Sequence, residues 1–336
     1  MRRDRRRVVA DWLHRRPFLA GLGVGAVIVL VVALVITAVL LRRDPGPTNG
    51  VADSPEEAVQ TYLNALATAD GAALVRVTTP APSDRLLGEA VLRQQRALSA
   101  ITDIAVMRAE AVGASDQIRE VRATYRVGDR AADVRYRSVR SGKGWLVSNG
   151  VLQIDLDPGR VPGPTLFDVE IGSPRTLYVY PGPQVWGSAN PFLSAKVVDP
   201  QPFPLGPQSP VRIRLDAELD DAGVRAVGSA VRNHLERCAG SREADAATDR
   251  PGCSQTLYRS ARPGTVRWRA PDDASGLYST LSRASVTTVD VAGPVSWQAD
   301  YTPTYVSDGT TRSVAVDQYL VGSVDLTVTP PAFLAE

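Results

Sequence analysis

Cys238, Cys253 and His234 are the residues in this 336-residue chain whose types and spacing most directly suggest chemistry. Two thiols about fifteen residues apart, with Pro251-Gly252 in a polar segment between them, read as a disulfide formed in an oxidising compartment. Closing a loop of about 15 residues stabilises a fold by ~3 kcal/mol in the chain-entropy model. A redox pair would require Cys-x-x-Cys spacing, which the sequence lacks. The rival is a metal site, since His234 and Cys238 stand at i and i+4 on one helical face and Cys253 could join them. That makes only three ligands, and the one other histidine is His14, far away in the chain. The expectation is a Cys238–Cys253 disulfide, no metal and no cofactor.

The inventory for acid–base catalysis is thin. Between residues 54 and 157 there is no histidine, and Tyr62, Asp70, Asp103 and Tyr125 are the polar groups available to line a cavity there. No spacing singles them out. No Gly-x-Ser-x-Gly elbow, Ser-x-x-Lys pair, phosphate-binding loop or zinc-protease motif occurs, and Ser194-x-Lys196 falls in a strand. The expectation is a protein that is not an enzyme. Charge narrows the field further: residues 1–44 carry nine arginines and three aspartates, leaving 29 basic against 33 acidic residues in the rest. That remainder lacks the basic footprint of nucleic-acid binding.

Elements must position these groups, and the first to be expected is a membrane anchor. Phe18 to Leu41 is uncharged and built of Gly, Ala, Val, Ile and Leu with little else. At ~1.5 Å per residue such a helix would cross a hydrocarbon core of ~30 Å. Seven arginines before it predict a cytoplasmic amino terminus and an extracytoplasmic remainder, with the chain held in the lipid bilayer through residues 18–41 at the cell membrane. A cleaved signal peptide would have a shorter apolar core and a small-x-small site, so the anchor is the reading taken. Gly21 and Gly25 have the small-xxx-small spacing that would let two anchors pack as a homodimer, but the motif is common in apolar segments and lipid-facing glycine is the reading taken.

After a Pro/Gly/Asn linker (42–53), Ser54-Pro55-Glu56-Glu57 starts a helix as N-cap, first-turn proline and capping-box acid. Val59, Tyr62, Leu63 and Leu66 share its face. Short helices are expected over 72–77 and 84–99. From Ile101 the period becomes two: Val121, Ala123, Tyr125 and Val127, then Ala132, Val134 and Tyr136, alternate with charged residues around a Gly128-Asp129-Arg130 turn. Glu120, Asp129 and Asp133 can pair with the outer-face arginines. Asp155 to Pro164 reads as a second linker. Beyond it come strands, a proline-rich loop over 199–210, a helix from about Asp220 with Val224, Val227, Val231 and Leu235 on one stripe, and Thr/Val/Tyr-rich strands to the end.

The capped helix, the phrase Tyr62-Leu63-Asn64-Ala65-Leu66-Ala67-Thr68-Ala69-Asp70, and the meander ending in Gly142-Lys143-Gly144-Trp145-Leu146-Val147 resemble the nuclear-transport-factor-like, cystatin-like α+β cone, over about residues 53–157. The resemblance implies a curved sheet wrapped on a helix with a cavity between them. Residues 165–330, in the Tyr180-Pro181-Gly182 turn and the Leu235 to Cys253 segment, resemble carboxy-terminal domains of actinobacterial membrane-anchored envelope proteins. The expected fold is α+β: a cytoplasmic tail (1–17), a transmembrane helix (18–41), the linker, a cone-like domain (54–157) and a strand-rich domain with one disulfide (158–336), both with curved antiparallel sheets. The expected function is a membrane-anchored, non-enzymatic binding or scaffold module of a cell-envelope complex, taking an envelope protein partner or a small hydrophobic ligand and no nucleic acid. The alternative is an enzyme or accessory domain acting on cell-wall polymer through the first cavity.

Overall fold

Ser54 starts the first described helix as its sequence dictates. Its hydroxyl accepts from Glu57 N at 3.1 Å, Pro55 occupies the first helical position, and Glu57 turns back to accept from Asp53 N at 2.8 Å. The resulting helix α1 (Pro55–Thr68) ends on Ala69 in the left-handed region, φ 56°. α2 (Gly71–Val77) follows, capped by Asp70, and then α3 (Glu89–Leu98). The computed structural model describes residues 52–336 except 143, 174, 208, 209 and 273.

The first sheet runs β1 (Ile101–Val106), β3 (Ile118–Val127), β4 (Arg130–Ser141), β5 (Gly144–Val147), with β2 (Glu110–Ala111) also paired to β3. The β3–β4 hairpin closes on Gly128-Asp129, with Gly128 at φ 61°, a conformation a glycine adopts without steric cost. Val121, Ala123, Tyr125, Ala132 and Tyr136 turn inward beneath α1 and bury with Tyr62, Leu63 and Leu66. On the outer face Arg122 pairs with Asp133 and Arg135 with Glu120. These exposed pairs contribute little stability each.

The second sheet has seven strands, in the order β8 (Val169–Glu170), β7 (Pro164–Leu166), β10 (Trp186–Ser188), β11 (Leu193–Val198), β12 (Val211–Leu219), β6 (Leu152–Asp157), β9 (Thr176–Val179). All pairs are antiparallel except β12 with β6. α3 wedges between the first two cores, sending Leu92 into one and Val91 into the other. Arg85, Gln94, Gln95 and Arg96 reach from α3 and the turn before it to the carbonyls of Ile171, Phe167, Tyr180 and Pro181 respectively. The described chain accordingly lies within a single compact unit, Val51–Glu336, and β6, at the end of the expected cone domain, is part of the second sheet.

The third sheet, β13 (Arg267–Arg269), β15 (Thr288–Tyr301), β16 (Arg312–Asp325), β17 (Ala332–Ala335), with β14 (Tyr278–Leu281) beside β15, packs on α4 (Asp221–Ala239). α4 buries Val227, Val231, His234, Leu235 and Cys238, and leaves Val224 exposed. Cys238 and Cys253 form a disulfide with Cα atoms 5.5 Å apart.

Two sequence expectations need correction. The transmembrane helix over 18–41 lies outside the described residues, and among those described no helix is long and apolar enough to cross a membrane. The longest, α4, carries Arg225, Arg232, Glu236 and Arg237 and buries only one stripe. Apolar run length measures transfer energy from water and does not identify what receives the segment. No described helix supports the single-pass anchor or the cell-membrane localisation that rests on it. The expected pair of α+β domains behind an anchor does not stand: the described chain is mostly β, with seventeen strands against four α-helices. The linker expected over 155–164 is partly strand, with β6 running to Asp157 and β7 beginning at Pro164, both in the second sheet.

His234 sits buried against Phe333, ring centroids 4.7 Å apart. Arg237 Nη2 donates to its Nδ1 at 3.0 Å, which leaves Nε2 to carry the proton and face Cys238 Sγ at 3.6 Å. Burial, then the Arg237 charge, draws its pKa down from 6.5 to about 4. An unfolded chain takes up that proton first, so the contribution to stability is complete above about pH 6.5 and is lost as pH falls toward 4. Allowing for partial screening, wild type is expected to lose about 2 kcal/mol more than His234→Gln between pH 7 and pH 4 in denaturant titrations. Parallel pH slopes for the two proteins would remove His234 from the balance.

Candidate functional site: a recess beneath a proline strap

Between β11 and β12 the chain leaves the second sheet. Pro200, Pro202, Pro204, Pro207 and Pro210 have no N–H to give a ladder, so residues 199–210 cannot continue either strand. Residues 199–207 form an extended strap across β3 and β4 of the first sheet. Asp199, at φ 55° and 3.5 Å from Arg214, turns the chain out. Arg130 stacks its guanidinium 4.6 Å over the Phe203 ring and donates to the Phe203 carbonyl at 2.9 Å. The Tyr125 hydroxyl donates to the Leu205 carbonyl and accepts from Tyr136 at 2.7 Å. A Cβ on Gly206 would stand 2.4 Å from Val134 Cγ1, so only glycine lets the strap lie this close.

Phe203 and Leu205 close the first core from the open side of the sheet. Within it Tyr62 and Tyr136 lie 5.4 Å apart, Tyr62 and Tyr180 6.5 Å apart, and Tyr62 donates to the Gly150 carbonyl at 2.5 Å. Burial pushes the Tyr125 phenol up to about 12, and burial with neighbouring phenols drives Tyr62 and Tyr136 well above the ordinary value. These hydroxyls stay protonated at physiological pH and act as hydrogen-bonding groups. Half-buried Arg96 lies nearby with its pKa lowered by burial, its Nε and Nη1 buried without a hydrogen-bond partner, as is Oε1 of the neighbouring Gln95.

The strap, β4 over 130–135, the ends of β11 and β12 and residues 183–186 enclose an open recess of about 1180 Å³. Its apolar wall includes Val134, Trp186, Val197, Ile213 and the strap prolines. Most charges around it are committed: Arg130 to Phe203, Arg135 to Glu120, Asp133 to Arg122, Asp199 to Arg214. Arg212 makes no hydrogen bond or ion pair among the described residues. Asp155, its register neighbour on β6, accepts from Gln153 Nε2 instead. Gln184 Nε2 is a buried donor without an acceptor. The recess thus offers one uncommitted cation and one unanswered amide donor beside its apolar wall.

The four expected cavity residues divide. Tyr62 and Tyr125 meet in the tyrosine cluster, packed rather than lining an empty cavity. Asp70 is exposed and accepts from Ala73 N at 2.9 Å as the cap of α2. Asp103 is exposed on β1 at φ 55°, where the β1–β3 register shifts, and shares with Tyr125 only a shallow hollow of about 360 Å³. No group of three metal-ligating side chains occurs among the described residues. Arg212, Gln184 and Trp186 were not singled out in sequence. The one signal was a proline run separating two strands, which marks a segment that must dock on something. The sequence matches no protein-family model and no curated protein.

Removing the Tyr125 hydroxyl leaves a buried carbonyl and a second phenol without their partner. Tyr125→Phe is expected to lower stability by about 1–2 kcal/mol in denaturant unfolding, with the strap becoming more susceptible to proteolysis. An unchanged midpoint and cleavage pattern would show that the hydroxyl does not hold the strap.

Proposed function

We propose that the chain is a non-enzymatic binding module, a subunit of a protein complex that holds an extended, acidic and partly apolar segment of a partner protein in the recess. The observation that carries the reading is the pairing of Arg212, free of any carboxylate among the described residues, with the unanswered Gln184 amide in a groove whose other charged side chains are already engaged and whose wall includes Val134, Trp186, Val197 and Ile213. A carboxylate answers the cation, a backbone carbonyl answers the amide, and side chains of an extended segment cover the apolar wall. The open form of the recess suits a polypeptide better than an enclosed small molecule. A hydrophobic ligand inside the first core has less support, because Phe203 and Leu205 already occupy that side. The polymer-cleaving alternative also has less, because Asp70 and Asp103 stand apart in separate roles.

The test uses synthetic eight-residue peptides alternating Glu with Leu or Pro, and matched peptides with Lys for Glu, titrated into the full chain by fluorescence polarisation. The acidic set is expected to bind and the basic set to fail. Arg212→Glu is expected to weaken acidic-peptide binding by roughly tenfold or more, about 1.4 kcal/mol. Equal binding of both sets, indifference to Arg212→Glu, or no binding by either set would overturn the proposal.

A further inference from the structure

A different part of the molecule presents an interaction surface of its own. β16 pairs with β15 along its whole length, but on the other side only Gly322–Asp325 meet β17. From Arg312 to Leu320 the backbone groups facing away from β15 hydrogen-bond to nothing among the described residues. An open edge is a template for another strand, and proteins usually blunt it with prolines, lysines, bulges or shortness. The other edges here are managed in those ways: β8 has two residues, β9 and β17 four each, β5 is flanked by bridges from Ala52 and Thr78, and β1 carries the Asp103 irregularity. Residues 312–320 have no proline, no lysine and no break in register with β15. The core is also unfinished there, since Val314 and Val316 pack on the third core yet stay half-buried at its rim.

We infer that this edge is the interface of a twofold homodimer, in which β16 of one copy pairs antiparallel with β16 of another, centred on Ala315. Faces are preserved only when a residue or its symmetric equivalent sits on the axis, which limits the choice to a few registers. Centring on Ala315 sets Val314 opposite Val316, completing the core rim of both copies. It also sets Ser313, whose hydroxyl donates to Asp300 in its own chain, opposite Asp317, and Arg312 opposite Gln318. No like charges meet. A centre at Asp317 would oppose two carboxylates, and a centre at Val316 would set Arg312 against Leu320 and Ala315 against Asp317. Of these three centres Ala315 is the one at which the edge complements itself, and that favours a second copy over an unrelated strand.

Ala315 is exposed, and the two native cysteines are already joined, so a thiol there is the only free one among the described residues. In this register its Cα lies ~4.5–5.5 Å from its twin, within reach of a disulfide. Ala315→Cys in the full chain is expected to give a covalent dimer on mild oxidation, while Val316→Cys stays monomeric on the same non-reducing gel. Light scattering is expected to show a wild-type dimer whose dissociation constant rises at least tenfold in Ala315→Arg, which opposes two cations at the axis. A wild-type monomer throughout, a dimer indifferent to Ala315→Arg, or cross-linking through Val316→Cys in place of Ala315→Cys would overturn the inference.

Discussion

A stretch of five prolines cannot supply the hydrogen bonds that hold a chain in a sheet, so its carbonyls and side chains must find other partners. In this molecule the partners are Tyr125, which donates to the Leu205 carbonyl, and Arg130, which covers Phe203 and binds its carbonyl. From this docking follow the closure of the first core by Phe203 and Leu205, the coupling of the first sheet to strands β11 and β12 of the second, and the outer wall of the recess. The hydrophobic burial would be available to many loops, but the location is set by two polar contacts and by the absence of a side chain on Gly206.

The same economy recurs at α3, which serves two cores at once. Its apolar residues divide between them, while its polar side chains satisfy carbonyls of the loops on the second sheet. Such bonds each contribute about 1 kcal/mol net, but leaving the carbonyls unanswered would cost more. Not every polar atom there is answered: Arg96 keeps two buried nitrogens without partners, and burial lowers its pKa. The third sheet is organised differently, around one long hairpin and the helix whose end the disulfide fastens.

Local chemistry was legible in the sequence wherever a rule acts over a few residues. Ser54, Pro55 and Glu57 announced α1, although Glu57 caps Asp53 N rather than Ser54 N. Alternation announced β3 and β4, and the pairing of Arg122 with Asp133 and Arg135 with Glu120 follows from it. Relations between distant segments were not legible. The parallel pairing of β6 with β12 joins residues some sixty apart and leaves no local mark. Arg212 read as one more arginine on an alternating strand, and only the fold shows that its register neighbour is engaged elsewhere. Asp70 and Asp103 looked like chemistry because their types permit it, while their places, a helix cap and a strand irregularity, are structural. The apolar run over 18–41 shows the complementary limit: hydropathy ranks a segment's aversion to water and says nothing further of its surroundings.

The docking of the strap on the first sheet is the claim on which the recess and the union of the first two layers rest, and a double-mutant cycle tests it. Stability would be measured for Arg130→Ala, Phe203→Ala and the double variant. A docked strap gives a coupling of about 1 kcal/mol between the two positions, since each substitution alone already removes their stacking. Strictly additive effects would place Phe203 away from Arg130 and contradict the docked strap.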